Sequence, residues 1–140
     1  KKRDQLRSEH LGIVFQKNHF LENLSISDNL SLPSYAQKKA IDADLIRELC
    51  EKLEVTHLLN KKPKECSVGE LQRLSIIRTM STRPSFILAD EPTSALDDRN
   101  AEAILSIFET IQDSLNVGII IVTHDQRVKN RVSNVISLNP

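Results

Sequence analysis

Two short apolar runs in this chain each end in groups that can do chemistry. Phe86–Ala89 leads straight into Asp90-Glu91, and Ile119–Thr123 leads into His124-Asp125. Unbroken apolar runs of this length read as strands buried on both faces, the habit of parallel sheets. Parallel sheets present ligand sites at the carboxyl ends of their strands. The two runs therefore predict an acid pair and an imidazole delivered to one sheet edge.

The rest of the pattern agrees with an α/β fold. Leu11–Phe15 is a third apolar run, ending at Gln16. Residues 17–34 are polar and broken, closing at Pro33. Ile41–Leu53 has helical periodicity with one apolar face, with Asp42 or Asp44 at its start, where a carboxylate suits the dipole. Ser67 with Glu70 three residues on has capping-box spacing, and predicts a helix to about Thr82 that buries Leu71, Leu74, Ile77 and Met80, stopped by Pro84. A helix over Asp98–Leu115 buries Ala101, Ile104, Leu105, Phe108, Ile111 and Leu115. Gly118 marks the turn after it, a short helix follows Asp125, and Val135–Leu138 reads as a last strand. Nothing between Gln16 and Ser67 reads as a strand, so that stretch is a helical insertion.

Composition excludes several function classes. Lys+Arg and Asp+Glu both number 19, so no net field draws nucleic acid or an anionic membrane. The apolar runs are too short to span a bilayer. Cys50 and Cys66 are too few for a disulfide framework, have no zinc spacing, and read as ordinary thiols. The 140 residues suit one domain or part of one.

Taken together, Cys66-Ser67-Val68-Gly69-Glu70, Ile87-Leu88-Ala89-Asp90-Glu91-Pro92 and Val122-Thr123-His124-Asp125 resemble, in that order, the signature motif, Walker B strand and switch histidine of ATP-binding cassette (ABC) ATPases. The resemblance implies a partial P-loop NTPase core with a mostly parallel sheet over residues 1–16 and 83–140, and a helical subdomain over 17–82. It implies ATP hydrolysis with Mg²⁺, with Asp90 as the magnesium-side carboxylate and Glu91 as the general base. His124 would donate a hydrogen bond to the γ-phosphate, and Gln16 would be the Q-loop amide at the metal. Ser67, Gly69 and Glu70 would reach the nucleotide of the opposite subunit. Ser94-Ala95-Leu96-Asp97 resembles the D-loop, where Asp97 would meet that subunit. The implied partners are a second nucleotide-binding subunit, head to tail, and a transmembrane permease, on the cytoplasmic face of the membrane; nucleic acid is not among them.

The signature departs from the usual L-S-G-G-Q at Cys66, Val68 and Glu70. Glu70 is a common variant. Val68 puts a β-branched side chain where Gly is usual, so altered phosphate contact is expected.

No G-x-x-x-x-G-K-[ST] phosphate loop occurs, and Gly12, Gly69 and Gly118 are the only glycines. The chain therefore reads as the C-terminal part of a nucleotide-binding domain, not expected to bind ATP tightly alone. In the ABC arrangement the phosphate-loop strand lies between the His124 strand and the last strand. Its removal leaves sheet edges open, and the expected consequences are rearrangement, capture of 135–138, or self-association through those edges. His10–Gln16 and Leu88–Thr93 look most like the group serving lipoprotein release, macrolide efflux and cell division. Two alternatives are a truncated cassette that only binds a partner protein, and a chromosome-maintenance or DNA-repair ATPase. Sustained heptads, which the second would need, do not occur.

Overall fold

The computed structural model describes residues 2–137. Along them run α1 (Lys2–His10), β1 (Leu11–Val14), α2 (Ile26–Ala36), α3 (Ala43–Lys52), α4 (Val68–Met80), β2 (Phe86–Asp90), α5 (Asp98–Leu115), β3 (Gly118–Val122) and α6 (Gln126–Arg131). Two 3-10 turns, Thr56–Leu58 and Pro63–Glu65, join α3 to α4.

Helices α2 to α6 each start where a side chain satisfies an orphan N–H. Ser25, Asp42, Ser67, Asp97 and Asp125 accept from Asp28, Leu45, Glu70, Asn100 and Arg127 respectively. Asp42 rather than Asp44 therefore caps α3, and it also takes Arg83 Nε at 2.7 Å. Asn116 ends α5 in the left-handed region at φ 51°.

The strands form a parallel sheet in the order β1-β2-β3. Val14 pairs with Ala89 and Asp90 with Val122, so the carboxyl ends lie side by side. On one face Val14, Ile87 and Ala89 are buried, and Ile119 and Ile121 pack against the same core. That core is continuous from the sheet to the helices: Leu74, Ile76 and Ile77 of α4 join Ile26 and Leu30 of α2, Leu45 and Leu49 of α3, and Ile104 and Phe108 of α5. α4 is the wall that α2, α3, α5 and β1 share. On the other face Leu11, Ile13, Phe86, Ile120 and Val122 are exposed, and β3 pairs with β2 alone among the described residues.

Three local expectations need correction. The 17–34 stretch is not broken throughout, because α2 runs from Ile26 to Ala36 with Pro33 inside it. Proline removes one helix hydrogen bond, but burial of Ile26, Asn29, Leu30 and Ser34 on either side outweighs that loss. Asn29 also gathers the preceding loop, accepting from Leu21 N–H at 2.8 Å and donating to the carbonyls of Leu21 and Ser25. Ahead of the sheet, and with no element expected over residues 2–10, α1 runs directly into β1.

Gly118 is not the turn after α5. Asn116 makes it, and Gly118 opens β3, where a Cβ would lie 2.5 Å from the Phe86 ring. Residues 135–137 of the expected last strand are irregular and exposed, and Leu138 lies outside the described residues. The strand expected between this segment and β3 is not formed among the described residues. The β3 edge is correspondingly not captured by 135–137.

Candidate functional site

The site begins where β2 ends. Glu91 N–H donates to the Val122 carbonyl at 2.9 Å, extending the ladder by one residue. Glu91 itself then turns at φ 47°. A left-handed non-glycine residue is uncommon and costs on the order of 1–3 kcal/mol, a cost that recurs at functional sites. Here it is offset by the bonds made by the carboxylate. Oε2 accepts the Thr123 hydroxyl at 2.9 Å, and Oε1 accepts the His124 backbone N–H at 3.0 Å. The same Oε1 lies 3.1 Å from His124 Nε2, and the Glu91 side chain is 12% exposed against 92% for His124. One end of the pair is thus shielded and the other free to meet a ligand.

Gln16 follows β1 and reaches the same edge. Its Nε2 donates to Ser94 Oγ at 3.1 Å, and Ser94 Oγ donates to the Glu91 carbonyl at 3.1 Å. Asp90 is the last residue of β2, exposed beside Val122. Thr93 is fully buried and donates to Asp125 Oδ2 at 2.6 Å. The Asp125 carboxyl is held well below the usual carboxylate range, chiefly by the Arg127 guanidinium and then by the Thr93 hydroxyl and the Arg127 N–H.

The signature residues form a separate group at the start of α4. Ser67 Oγ accepts Glu70 N–H at 3.3 Å, while Glu70 Oε2 accepts Ser67 N–H at 2.7 Å and the Ser67 hydroxyl at 2.9 Å. The Glu70 carboxyl is held low, first by the Ser67 N–H. Val68 is 56% exposed beside them. Gly69 is buried against Asn100, whose side chain donates to Asp97 at 3.0 Å. Gly69, Asn100 and Asp97 are thus the link between the signature helix and the loop that follows Glu91.

Glu91, His124 and, through Ser94, Gln16 therefore meet at one carboxyl edge, with Asp90 beside them; Ser67, Gly69 and Glu70 are not bonded into that network. Sequence reasoning missed the parts played by Thr93, Ser94 and Arg127. Buried Thr93 and the Ser94 bridge depend on the path of the loop, which no spacing reveals. Arg127 stands two residues after the α6 cap, a position with no motif.

A divalent cation fits in part. A carboxylate at Asp90 and an amide oxygen at Gln16 are hard oxygen donors suited to Mg²⁺, and Gln16 uses its nitrogen on Ser94, which leaves the oxygen. No cluster of three or more ligating His, Cys, Asp or Glu side chains occurs among the described residues. The ion would therefore need ligand oxygens and water as well, as is usual for Mg²⁺ on phosphates.

A parallel α/β sheet with crossover helices, with acid, imidazole and amide at one carboxyl edge, places its polar groups where α/β proteins hold ligands. The solved ATP-binding cassettes that share this fold place it in the P-loop NTPase class. The chain belongs to the ABC transporter family, whose profile matches residues 1–94. It is 34% identical over 142 aligned residues to the lipoprotein-releasing system ATP-binding protein LolD of Francisella tularensis subsp. holarctica, covering 98% of this chain and 61% of that protein. It is 38% identical over 125 residues to LolD of Buchnera aphidicola subsp. Schizaphis graminum, covering 88% and 55%. The chain thus spans about three-fifths of the length of the curated relatives it matches.

Among solved structures, the dimeric ATP-binding cassette MJ0796 in a post-hydrolysis state bound to ADP and Pi superposes with a TM-score of 0.77 at 28% identity, over 91% of this chain and 57% of that one. The cbiO1 protein of Clostridium perfringens, part of the ABC transporter complex cbiONQ, gives 0.76 at 27% identity over 87% and 49%.

Proposed function

We propose that the whole protein hydrolyses ATP in a head-to-tail dimer and drives a transmembrane partner on the cytoplasmic face of the membrane. The observation that carries this reading is the Glu91–His124 pair, held at 3.0 and 3.1 Å at the carboxyl edge of a parallel sheet. Glu91 is the general base that takes a proton from the attacking water. His124 donates a hydrogen bond to a terminal-phosphate oxygen as charge builds there. In the arrangement described above, Oε1 is occupied by the imidazole, so the ring has to swing outward for both groups to act. Its high exposure leaves room for that.

Asp90 and the Gln16 oxygen would hold Mg²⁺, which supplies charge neutralisation on the phosphates. Ser67, Gly69 and Glu70 would meet the nucleotide on the opposite subunit through the N–H groups and positive end of α4. The Ser67 hydroxyl must first leave Glu70. Asp97 would face that subunit. Residues 17–82 are read as a helical subdomain against a core of 1–16 and 83–140, a division supported by the absence of strands between β1 and β2. The 140 residues hold no phosphate loop, and are proposed not to bind ATP tightly alone.

The names of the relatives favour release of lipoproteins as the work driven. No helix among the described residues is long and apolar enough to cross a membrane, in keeping with a separate membrane-spanning partner.

The test is Glu91→Gln in the whole protein. General-base catalysis contributes roughly 10²–10⁴-fold, so turnover should fall by about 100-fold or more while ATP binding is retained. Undiminished hydrolysis would remove Glu91 from the role.

A further inference from the structure

Arg127, in the first turn of α6, ties two loops together. Its Nε lies 3.0 Å from both Asp125 oxygens and its second terminal nitrogen 2.7 Å from Oδ2. Its other terminal nitrogen lies 2.7 Å from Asp98 Oδ1 and 3.4 Å from the Leu96 carbonyl. The guanidinium thus spans from the switch segment to the Leu96–Asp98 stretch. From Asp125 the connection continues inward. Asp125 N–H donates to Thr123 Oγ1 at 2.9 Å, and that hydroxyl donates to Glu91 Oε2 at 2.9 Å. Asp98, Arg127, Asp125, Thr123 and Glu91 are thus linked in series, through the Asp125 carboxylate on one side and its backbone N–H on the other.

We propose that Arg127 is a positioning residue, which locks the Leu96–Asp98 segment to Thr123–Asp125 so that the placement of that segment sets the placement of the Glu91 carboxylate. This rests on the reading of Glu91 as the base and of Asp97 as facing the second subunit. On that reading, Arg127 gives contact between subunits a route to the base.

The geometry suits arginine specifically. A planar fork can hold a carboxylate on one side and a second carboxylate with a carbonyl on the other at once. Lysine is a point charge and can keep one of those contacts, not all of them. The Asp125 carboxyl stays ionised across the physiological range, so the fork is charge-assisted throughout. The Arg127 side chain is 29% exposed and the Asp125 side chain 10%, so the bond between them is partly shielded from water, whereas Asp98 is 93% exposed and its bond to Arg127 lies at the surface.

The experiment measures ATP hydrolysis against ATP concentration, ATP affinity and thermal midpoint for the whole protein and its Arg127→Gln, Arg127→Lys and Glu91→Gln variants. The expected result for Arg127→Gln is kcat lowered about tenfold or more, with KM and Kd for ATP within about twofold. Arg127→Lys should recover less than about a third of the parent kcat, at a thermal midpoint close to the parent's. Parent-like kcat in Arg127→Gln, with turnover abolished in Glu91→Gln, overturns the positioning role and leaves the base standing. Parent-like kcat in Glu91→Gln overturns the base reading itself. Should Arg127→Gln not fold, Arg127→Lys decides alone: full kcat overturns the proposal, and reduced kcat with unchanged KM supports it.

Discussion

Gly69 and Asn100 leave no space between them. A Cβ built on Gly69 would lie 2.7 Å from Asn100 Oδ1 and 3.0 Å from its Cγ. Asn100 is not free to retreat, because its side-chain nitrogen donates to Asp97 Oδ1 at 3.0 Å and Oδ2 at 3.1 Å. The first turn of α4 is therefore seated on the first turn of α5 through a contact that only glycine permits.

Replacing Gly by Ala stabilises by roughly 0.8–1 kcal/mol in a helix interior, and by less in a first turn such as that of Gly69. Gly69→Ala should not show that gain, since Asn100 must give up Asp97 to admit the methyl. The expected result in denaturant unfolding is a chain no more stable than the parent. Combining Gly69→Ala with Asn100→Ser should recover a coupling of about 0.5 kcal/mol or more in a double-mutant cycle. A stabilising Gly69→Ala would show that the two helices are not in contact.

Ile77 tests the shared wall. It is fully buried in α4, within the core that joins the sheet to the other helices. Ile77→Ala should cost about 2–5 kcal/mol by lost burial and cavity formation. Val68→Ser, on the exposed side of the same helix, should stay within about 0.5 kcal/mol. Equal effects in urea titrations would contradict the packing described for α4.

Much of this was legible in the residues because local rules and burial agree there. Phe86–Ala89, Asp98–Leu115 and the Ser67–Glu70 box each carry one dominant signal: an apolar run, a 3.6-residue period, or a capping pair. Pro33 hid α2, because local propensity forbids what packing of Leu30 and Asn29 enforces. Asn116 took the turn that Gly118 seemed to mark, since asparagine tolerates the left-handed region and Gly118 is needed for space beside Phe86. The last strand failed for a different reason. Val135 and Ile136 have strand-forming side chains, but the neighbour expected for them in the sheet is not formed among the described residues, and 135–137 do not take the open edge of β3 instead. At the site, Asp90, Glu91, His124 and Gln16 are strand-end residues and so visible. The bonds from Thr93, Ser94 and Arg127 depend on the path of a loop, which tertiary packing sets and local spacing does not.

Acid should weaken the fold through Asp125. Its carboxyl is held below its ordinary value by Arg127 first and Thr93 second. A carboxyl lower in the folded state than in the unfolded chain contributes stability that is full above the unfolded value, near 3.9, and is lost as pH falls through the folded one. Asp125→Asn removes that contribution. The parent should be the more stable of the two at pH 7, and the gap between them should narrow progressively below about pH 4. Thermal midpoints of both chains across pH 2–7 measure it (that range brackets the ordinary carboxylate value). A constant gap would mean that Asp125 is not ionically held.

The two thiols should differ sharply. Cys50 is fully buried and its pKa is pushed up to about 11, by burial first and the neighbouring Glu51 charge second. Cys66 is partly exposed, and burial also raises it. Only the thiolate reacts, so at pH 8 a disulfide reagent should modify one thiol per native chain, with the second appearing on unfolding. Cys66→Ser should leave native protein almost unreactive. Rapid labelling of both would mean that the α3 face is open.

These 140 residues on their own should self-associate. Parallel sheets are normally covered on both faces, yet Ile120 is 58% exposed, Phe86 54% and Val122 47% on one face of this one. The outer edge of β3 adds a row of N–H and C=O groups unpaired among the described residues, the kind of template that natural proteins blunt with charge, proline or a covering element. Gly118–Val122 contains none of those devices. A second copy of the chain offers the same edge and the same apolar face, so it can satisfy both at once. Sedimentation velocity at increasing concentration should show species larger than a monomer of 15.9 kDa. Ile120→Lys places a charge on the exposed side of β3, the side that association would cover, and leaves buried Ile87 and Ala89 untouched. It should shift the population toward monomer without lowering the unfolding free energy by more than about 0.5 kcal/mol. Monomer at every concentration in the parent chain would show that the open face and edge are already satisfied within one molecule.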